Sequence, residues 1–274
     1  MSRFSASWLA LREAYDHRAT ATAPLFAIRA ALADRRPLRA LDLGAGSGAA
    51  IRLLAPLLPK PQEWLAVECD PALVAEGRRR CAESLPAGVR VRWKGDDLAR
   101  TDTLSRLLHR PVDLVSASAL LDLVSRSWLA ELVAILAASR ALLWTRLTFD
   151  GRIHFFPPDP FDRRLVALLC AHQRRDKGFG PAVGPEAVTT LAELLAPLAG
   201  RMVTASSDWR LGPRDRAIQE ILFDLWAEAA ASMAPQEAEA ITGWRHRRLT
   251  HLRAGRSHLT VGHRDLAWLP GAAA

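Results

Sequence analysis

Cysteine is scarce in this chain of 274 residues, which contains only Cys69, Cys81 and Cys170. Three scattered cysteines cannot build a disulfide framework, and their spacing is not that of a zinc site. We therefore expect small core residues in a reducing compartment. The eight histidines are dispersed along the chain, so the sequence predicts no metal site.

Long apolar runs are also missing, and no segment could span a bilayer. The first 20 residues carry Arg3, Arg12, Glu13, Asp16 and Arg18, which is unlike a signal peptide. Half of the residues are hydrophobic, as in a globular protein. We expect a cytoplasmic protein with no membrane partner, built as one large domain or as one domain with a cap.

Lysine is the third deficit, because only three of the 37 basic residues are lysines. The formal net charge is +8, and short arginine clusters occur at 78–80 and 245–248. Abundant arginine together with abundant alanine indicates the composition of a GC-rich genome. A nucleic-acid partner is therefore an alternative that we do not favour.

The sequence is organised around residues 39–48, RALDLGAGSG, in which an apolar run ends in a carboxylate and three glycines follow at alternate positions. Leu41 and Leu43 suit a buried parallel strand, and the Leu- and Ala-rich segment 49–58 suits a helix. Glycines between them allow a tight turn and a close approach of the backbone to a ligand. In an open α/β sheet, small ligands bind at such a junction.

Asp42 helps to identify the ligand. The glycines alone also fit the G-x-G-x-x-G/A pattern of dinucleotide-binding proteins. A carboxylate two residues before the first glycine, however, suits a ligand with a cationic amine better than it suits a pyrophosphate.

Further acids follow the next two predicted strands. The strand at 64–68 ends on Glu68, 24 positions after Gly44. This is close to the offset of about 20 residues at which an acid accepts hydrogen bonds from ribose hydroxyls. The strand at 89–93 is followed by Asp96 and Asp97.

The sequence resembles the class I S-adenosylmethionine-dependent methyltransferases. The features that carry this resemblance are these acids, the acidic glycine loop and the polar end of a fourth strand at 112–118. The resemblance covers residues 39–150 well and the remainder loosely. It implies an α/β, doubly wound, seven-stranded and mostly parallel sheet (the Rossmann-like methyltransferase fold) with helical cap insertions. It also implies S-adenosyl-L-methionine as the cofactor.

The resemblance assigns the cofactor contacts. It implies that Glu68 binds the ribose, that Asp96 or alternatively Asp97 binds the adenine amino group, and that the fourth strand ends beside the methyl group. A helix commonly covers the pocket in this family, so Arg12 or Arg18 would meet the cofactor carboxylate. The predicted cofactor-binding residues are Arg12, Asp42, Gly44, Ala45, Gly46, Glu68, Cys69, Asp96, Asp97, Ser116 and Ser118.

The expected reaction centre lies at the end of the fourth strand, where Ser116, Ser118 and Asp122 are the polar groups. Asp122 could instead cap the next helix. Amino-group methyltransferases of this family often carry Asn/Asp-Pro-Pro-Tyr/Phe at this point. Its absence here argues against the methylation of bases in nucleic acid.

The segment 150–184 is the predicted substrate cap. Asp150-Gly151 predicts a two-residue hairpin turn after a fifth strand, and the segment ends in a loop rich in glycine, proline and charge. His172 is the first candidate for a general base and His154 the second. Candidates for binding an anionic substrate group are Arg174, Arg175 and Lys177.

Two domains are predicted: an N-terminal helical segment, 1–36, over the cofactor pocket, and a methyltransferase domain, 37–274. A helical insertion at 213–252, which should break at Pro235, precedes the last strand at 258–263. This insertion is a second place where a cap or the surface of a homodimer could form.

The sequence thus predicts methyl transfer from S-adenosylmethionine to an oxygen or nitrogen atom of a small molecule. One alternative is a methyltransferase that acts on RNA or protein through its basic surface. The other is a nicotinamide-dependent oxidoreductase or a non-catalytic binding module.

Overall fold

The structure, a computed structural model, describes residues 5–100, 102–109 and 111–271. Its strands form one sheet and its helices cover both faces of that sheet. The α-helices are α1 (Ala6–Ala19), α2 (Thr22–Ala31), α3 (Ala49–Leu54), α4 (Pro71–Ser84), α5 (Thr103–Leu107), α6 (Arg126–Ser139), α7 (Asp162–Gln173), α8 (Ala187–Leu195), α9 (Arg216–Met233) and α10 (Ala238–Arg253). The strands are β1 (Leu38–Leu43), β2 (Gln62–Val67), β3 (Val89–Lys94), β4 (Leu114–Ser118), β5 (Leu142–Phe156), β6 (Gly200–Ser206), β7 (Trp209–Leu211) and β8 (His258–Pro270).

The sheet has the strand order β3-β2-β1-β4-β5-β8-β6, and the short strand β7 also pairs with β8. Neighbouring strands from β3 to β5 run parallel, whereas β8 is antiparallel to both β5 and β6. The predicted doubly wound, mostly parallel sheet is confirmed. Its strand count is eight rather than seven, because β7 forms an additional short pairing.

The apolar runs explain why these segments are central strands. In β1, every residue except Arg39 is buried, as expected of a parallel strand that helices cover on both faces. The helix that follows β2 begins where the sequence indicates. Asp70 Oδ1 accepts a hydrogen bond of 2.8 Å from the amide of Ala72, and Pro71 is the first residue of α4.

The predicted hairpin turn at Asp150-Gly151 is wrong, since both residues lie inside the single long strand β5. The register against β8 shifts between Phe149 and Ile153, so the extra residues form a bulge. Gly151 has a φ of 85°, and a Cβ on Gly262 of β8 would overlap the Asp150 side chain. An Asp-Gly pair suits a glycine bulge as well as a hairpin turn, and the pairing with β8 selects the bulge.

Helices α7, α9 and α10 form one layer around a separate apolar cluster. Its largest buried members include Phe223 and Trp244. A short turn at Pro235–Glu237 separates α9 from α10, so the predicted break is confirmed. Within this layer, the buried Arg248 donates a hydrogen bond of 2.7 Å to Asp162. The predicted cap and helical insertion therefore pack against each other.

The N-terminal helices are attached to the sheet through Asp265 of β8, which is fully buried. Its two carboxylate oxygens accept hydrogen bonds of 2.8 Å from the amides of Ala21, before α2, and Leu147, in β5. The predicted boundary at 36/37 falls between α2 and β1 and stays a prediction. Residues 1–4 and 272–274 of the two predicted domains lie outside the described residues. None of the helices described here has both the length and the apolarity needed to cross a membrane.

Candidate active site at the carboxyl ends of the strands

The strand order places a topological switch point between β1 and β4, because the chain continues from these two neighbours toward opposite edges of the sheet. In open α/β sheets, ligands bind outside the carboxyl ends of the strands at such a point. Asp42 of β1 is the register partner of Ser116 of β4. Two residues predicted to bind the cofactor thus lie side by side at the switch point.

The glycine loop turns the chain sharply from β1 into α3. Gly44, Gly46 and Gly48 have left-handed φ values of 66°, 53° and 80°. At Gly48, a Cβ would also lie 2.8 Å from the Sγ atom of Cys81 in α4. Both the backbone angle and the available space therefore require glycine at this position.

Asp42 is buried and only partly satisfied. Ser116 Oγ donates a short hydrogen bond to its Oδ1, whereas Oδ2 has no partner among the described residues. Burial raises the pKa of Asp42 to about 7, although the bond from Ser116 and the charge of Arg146 oppose this shift. An unpartnered carboxylate oxygen beside the glycine loop fits the cationic amino group of S-adenosylmethionine, which would satisfy it.

Glu68 lies directly after β2 and is buried against the glycine loop. Its Oε2 accepts a hydrogen bond of 2.9 Å from the amide of Gly46, and its Oε1 accepts one of 2.9 Å from the amide of Asp70. The neighbouring amide, that of Ala45, donates a bond of 2.9 Å to the carbonyl of Val67. Its Oε1 also accepts a weak hydrogen bond of 3.6 Å from the Cys69 thiol. A carboxylate has about four acceptor positions, so Glu68 can still accept a ribose hydroxyl.

Asp96 and Asp97 follow the end of β3, next to Glu68. Burial opposes the ionisation of Asp96, but Lys94 at 3.0 Å and Arg106 at 3.3 Å hold its pKa below the usual range. Asp97 is close enough to Cys69 for its charge to contribute, after burial and Glu68, to a raised pKa of the thiol. The structure thus brings the acids of three successive strand ends to one edge. The choice between Asp96 and Asp97 stays open.

Ser118, at the end of β4, contacts a buried arginine that the sequence analysis missed. Arg146 of β5 is 1% exposed, and its Nε donates a hydrogen bond of 3.0 Å to Ser118 Oγ. Its Nη1 donates another of 3.0 Å to Thr20, between α1 and α2. An arginine inside an otherwise apolar strand was the signal that could have identified it, because charged residues are rarely buried without a partner.

Helix α1 lies directly on the glycine loop. A Cβ on Gly46 would be 3.2 Å from the side chain of Leu9. Glu13, also missed in the sequence, forms ion pairs of 2.6 Å with both Arg52 of α3 and Arg80 of α4. These contacts place α1 against the loop, and the covering of a cofactor pocket by this helix stays a prediction.

Arg12 and Arg18 lie on different faces of α1. Arg12 is nearly buried, pairs with Asp16 at 3.0 Å and lies 4.9 Å from the ring centroid of Trp209. Arg18 is 63% exposed and only 4.0 Å from Asp215. Of the two alternatives for the cofactor carboxylate, the geometry favours Arg12, which faces the inside.

Asp122 does not cap the next helix. Ser125 caps α6 instead, because its Oγ accepts a hydrogen bond of 3.2 Å from the amide of Trp128. Asp122 is buried in the turn after β4, where its Oδ2 accepts a bond of 2.8 Å from Gln173 and its Oδ1 has no partner among the described residues. Burial raises the pKa of Asp122 to about 6, and a hydrogen bond from its own backbone amide, the bond from Gln173 and the charge of Arg12 limit this shift.

The loop after α7 packs beside the end of β4. The amide of Val183 donates a hydrogen bond of 2.9 Å to the carbonyl of Val124, and the rings of Phe179 and Trp128 meet edge to face with centroids 5.9 Å apart. His172 lies in the last turn of α7, next to Gln173. The predicted cap thus reaches the expected reaction centre through this loop.

The three predicted anion-binding residues of this loop differ in their surroundings. Arg174 already forms a bidentate pair with Glu186. Arg175 is exposed. Lys177 Nζ donates a hydrogen bond of 2.9 Å to the carbonyl of His172.

His154 lies apart from the other candidate residues. It is exposed on β5, opposite Thr260 of β8, and lines an open hollow of about 300 Å³ together with Phe156 and His258. Within residues 5–100, 102–109 and 111–271, no group of three or more His, Cys, Asp or Glu side chains could hold a metal ion.

No protein-family model matches the chain, and no curated protein matches it. Among solved structures, it is similar to the YcgJ protein from Bacillus subtilis, with 14% identity, a TM-score of 0.50, and coverage of 91% of this chain and 99% of that one. A methyltransferase from Geobacter sulfurreducens in complex with S-adenosylhomocysteine is 17% identical, with a TM-score of 0.47 and coverage of 98% and 100%. The cyclopropane synthase MmaA2 from Mycobacterium tuberculosis is 14% identical, with a TM-score of 0.47 and coverage of 89% and 82%. Topology and likeness agree on the fold: the chain forms a Rossmann-like, doubly wound and mostly parallel α/β sheet.

Proposed function

We propose that this protein is an enzyme that transfers a methyl group from S-adenosyl-L-methionine to an oxygen or nitrogen atom of a small molecule. One observation carries the proposal: the buried, half-satisfied carboxylate of Asp42 lies at the switch point, beside a glycine loop that Glu68 contacts from the next strand. A cationic amino acid joined to a nucleoside matches this set of acids.

The residues that would hold the cofactor come from four strand ends and α1. Asp42 would bind the amino group, Arg12 the carboxylate, Glu68 the ribose, and Asp96 or Asp97 the adenine. The remaining contacts would come from Gly44, Ala45, Gly46, Cys69, Ser116 and Ser118. When bound, the cofactor supplies a methyl group that its sulfonium already activates, so the protein chiefly positions the nucleophile.

Asp122 is the best-supported proton acceptor of the three candidate catalytic residues. It is buried, it keeps one unpartnered oxygen, and the Gln173 amide fixes its orientation. His172 stays a second candidate because it neighbours Gln173, and His154 is a third, more distant one. We further propose that 150–184 caps the acceptor and that Arg175, Lys177 and, after release from Glu186, Arg174 contact it.

The structure gives little support to a nucleic-acid substrate, since acids neutralise much of both arginine clusters. Arg79 pairs with Glu76 at 2.7 Å, and Arg80 pairs with Glu13. In the second cluster, Arg245, Arg247 and Arg248 pair with Asp224, Asp159 and Asp162 at 2.5 to 2.7 Å. Paired guanidinium groups are less available to phosphates, which favours a small-molecule acceptor.

A cytoplasmic location is part of this proposal, supported by the three free cysteines. A homodimer through α9 and α10 also stays a proposal. Ile221 and Leu225 support it, because these apolar side chains are exposed on α9.

Calorimetry with S-adenosylhomocysteine and with NAD tests the function. We expect saturable binding of S-adenosylhomocysteine and none of NAD. Glu68→Gln should weaken the binding about tenfold, because a neutral amide is a poorer acceptor for a ribose hydroxyl. Glu63→Gln, an exposed site on the same strand, is the matched control. Tight NAD binding without S-adenosylhomocysteine binding would instead establish the oxidoreductase alternative.

A further inference from the structure

A cleft of about 340 Å³ lies on the outer side of α1, between this helix and the segment that joins β6 to β7. Its lining includes Tyr15 and Arg18 of α1, Ser206 at the end of β6, Asp208 of the joining segment, and Trp209 and Arg210 of β7. The volume is within the range of small-molecule sites. None of the predicted substrate-binding residues lines it.

The cleft carries two arginines, of which one is unpaired and the other is only weakly paired. Arg210 is exposed and has no ion pair within 4.0 Å among the residues the structure describes, whereas Arg18 forms a long ion pair of 4.0 Å with Asp215. The one acid in the lining, Asp208, is bound by Arg152 at 2.9 Å and by the amide of His263 at 3.2 Å. The guanidinium of Arg210 is therefore available to an anion, and that of Arg18 can join it by exchanging its long pair with Asp215 for the ligand.

Aromatic rings form the other part of the lining. Arg18 lies 4.5 Å from the ring centroid of Tyr15. Trp209 is held in place because its indole donates a hydrogen bond of 3.1 Å to Asp16 and because Arg12 packs on its ring. Because Trp209 is 4% exposed, the half-buried ring of Tyr15 is the aromatic surface that the lining offers to a planar, negatively charged ligand.

The wall formed by Trp209 links the cleft to the interior polar groups. His263 lies 5.2 Å from the Trp209 ring, is 6% exposed and has an Nδ1 atom with no partner among the described residues. Arg12, on the same ring, is close enough to Asp122 to influence its ionisation. Trp209 and Arg12 thus lie between the cleft and Asp122.

We infer that this cleft binds the planar, anionic part of the methyl acceptor, through Arg18 and Arg210, and that it determines the acceptor class. The identification of the ligand as the methyl acceptor rests on the proposed function. The binding of a planar anion in the cleft does not depend on that function. A carboxylate and a phosphate offer the same chemistry to two guanidinium groups.

Nuclear magnetic resonance of the ¹⁵N-labelled chain tests the cleft without an activity assay. The indole N–H signal of Trp209, assigned with Trp209→Phe, is followed during titration with benzoate, phenyl phosphate and neutral benzamide. We expect benzoate, phenyl phosphate or both to shift this signal saturably, and benzamide to bind at least about fivefold more weakly. A response to one anion alone identifies a carboxylate or a phosphate as the preferred group.

Arg18→Gln and Arg210→Gln should each raise the dissociation constant at least about fivefold. Arg201→Gln, an exposed arginine near the other end of β6, should leave it unchanged. The inference is overturned if neither anion binds saturably, if the two cleft variants bind like the wild type, or if benzamide binds equally well. Competition by S-adenosylhomocysteine would also overturn it, because the cleft would then belong to the cofactor. If the probes bind in the cleft but the protein does not bind S-adenosylhomocysteine, the methyltransferase proposal is contradicted and the anion-binding cleft is not.

Discussion

The side-chain amide of Gln173 donates a hydrogen bond of 2.8 Å to Oδ2 of Asp122, which connects the end of α7 to the turn after β4. This bond leaves Oδ1 of the buried carboxylate as the oxygen that can receive a proton. The position of the proposed proton acceptor therefore depends on the segment proposed to cover the substrate.

Asp122→Asn should lower kcat by about 10²–10⁴-fold once an acceptor has been found, because general-base catalysis contributes this much. The affinity for S-adenosylhomocysteine should stay unchanged. Burial raises the pKa of Asp122 to about 6, so wild-type kcat should fall as the pH drops below about 6. His172→Ala is the competing test. If His172→Ala abolishes this decrease in kcat at acidic pH (the acidic limb of the pH–rate profile) while Asp122→Asn retains it, the histidine is the base.

Gln173→Ala should move the same limb to higher pH, because the lost hydrogen bond favoured the ionised form of Asp122. The decrease in kcat should be smaller than in Asp122→Asn. A pH–rate profile measures both effects. An unshifted limb would show that Gln173 does not position the catalytic carboxylate.

Binding of S-adenosylhomocysteine near pH 7 should release protons. The pKa of Asp42 is about 7 without a ligand because the group is buried. A bound ammonium group favours the carboxylate, so up to roughly half a proton should leave at this pH. Calorimetry in buffers with different ionisation enthalpies measures the release. Asp42→Asn should abolish it, and a release that survives this substitution would rule out Asp42 as its source.

Asp42→Asn should also alter the pH dependence of stability. Between pH 3.8 and about 7 the folded state keeps a proton that the unfolded state has lost, so wild-type stability falls as the pH rises. The free energy of unfolding of the variant, relative to the wild type, should therefore rise by up to about 1.4 kcal/mol per pH unit in this window. Urea denaturation at pH 4.5, 5.5 and 6.5 measures the slope. If the difference in the free energy of unfolding between the variant and the wild type does not change with pH, Asp42 ionises normally.

Gly48→Ala should destabilise the fold by about 2–4 kcal/mol, since it adds overpacking to an unfavourable backbone angle. The new Cβ would lie 2.8 Å from Cys81 Sγ at a φ of 80°. Gly255→Ala is the matched control, with a φ of 66° and no atom within 4 Å, and it should cost only about 1 kcal/mol. Equal losses in urea denaturation would show that close packing at the loop is unimportant.

The parallel core and its strand ends were predictable because local patterns encode them. Apolar runs such as 41–43 indicate strands buried on both faces, and positive φ angles require the glycines that follow. Glu68 could be placed beside the loop, because parallel strands end at one edge of a sheet.

Features that depend on distant pairing were not predictable. The bulge at Asp150-Gly151 exists because β8, more than 100 residues later, pairs on both sides of it. In the sequence, Arg146 and Asp265 are isolated charges. The fold brings Arg146 to Ser118 and Asp265 to the amide of Ala21. The cleft at Trp209 likewise requires α1 to meet β7, which no periodicity in the sequence reveals.

Helix α1 covers the glycine loop through Leu9 and holds α3 and α4 together through Glu13. The same helix supplies Arg12 to the interior and Arg18 to the outer cleft. One helix thus borders both the glycine loop and the outer cleft. Any displacement of α1 from the loop would also move Tyr15 and Arg18 relative to Trp209.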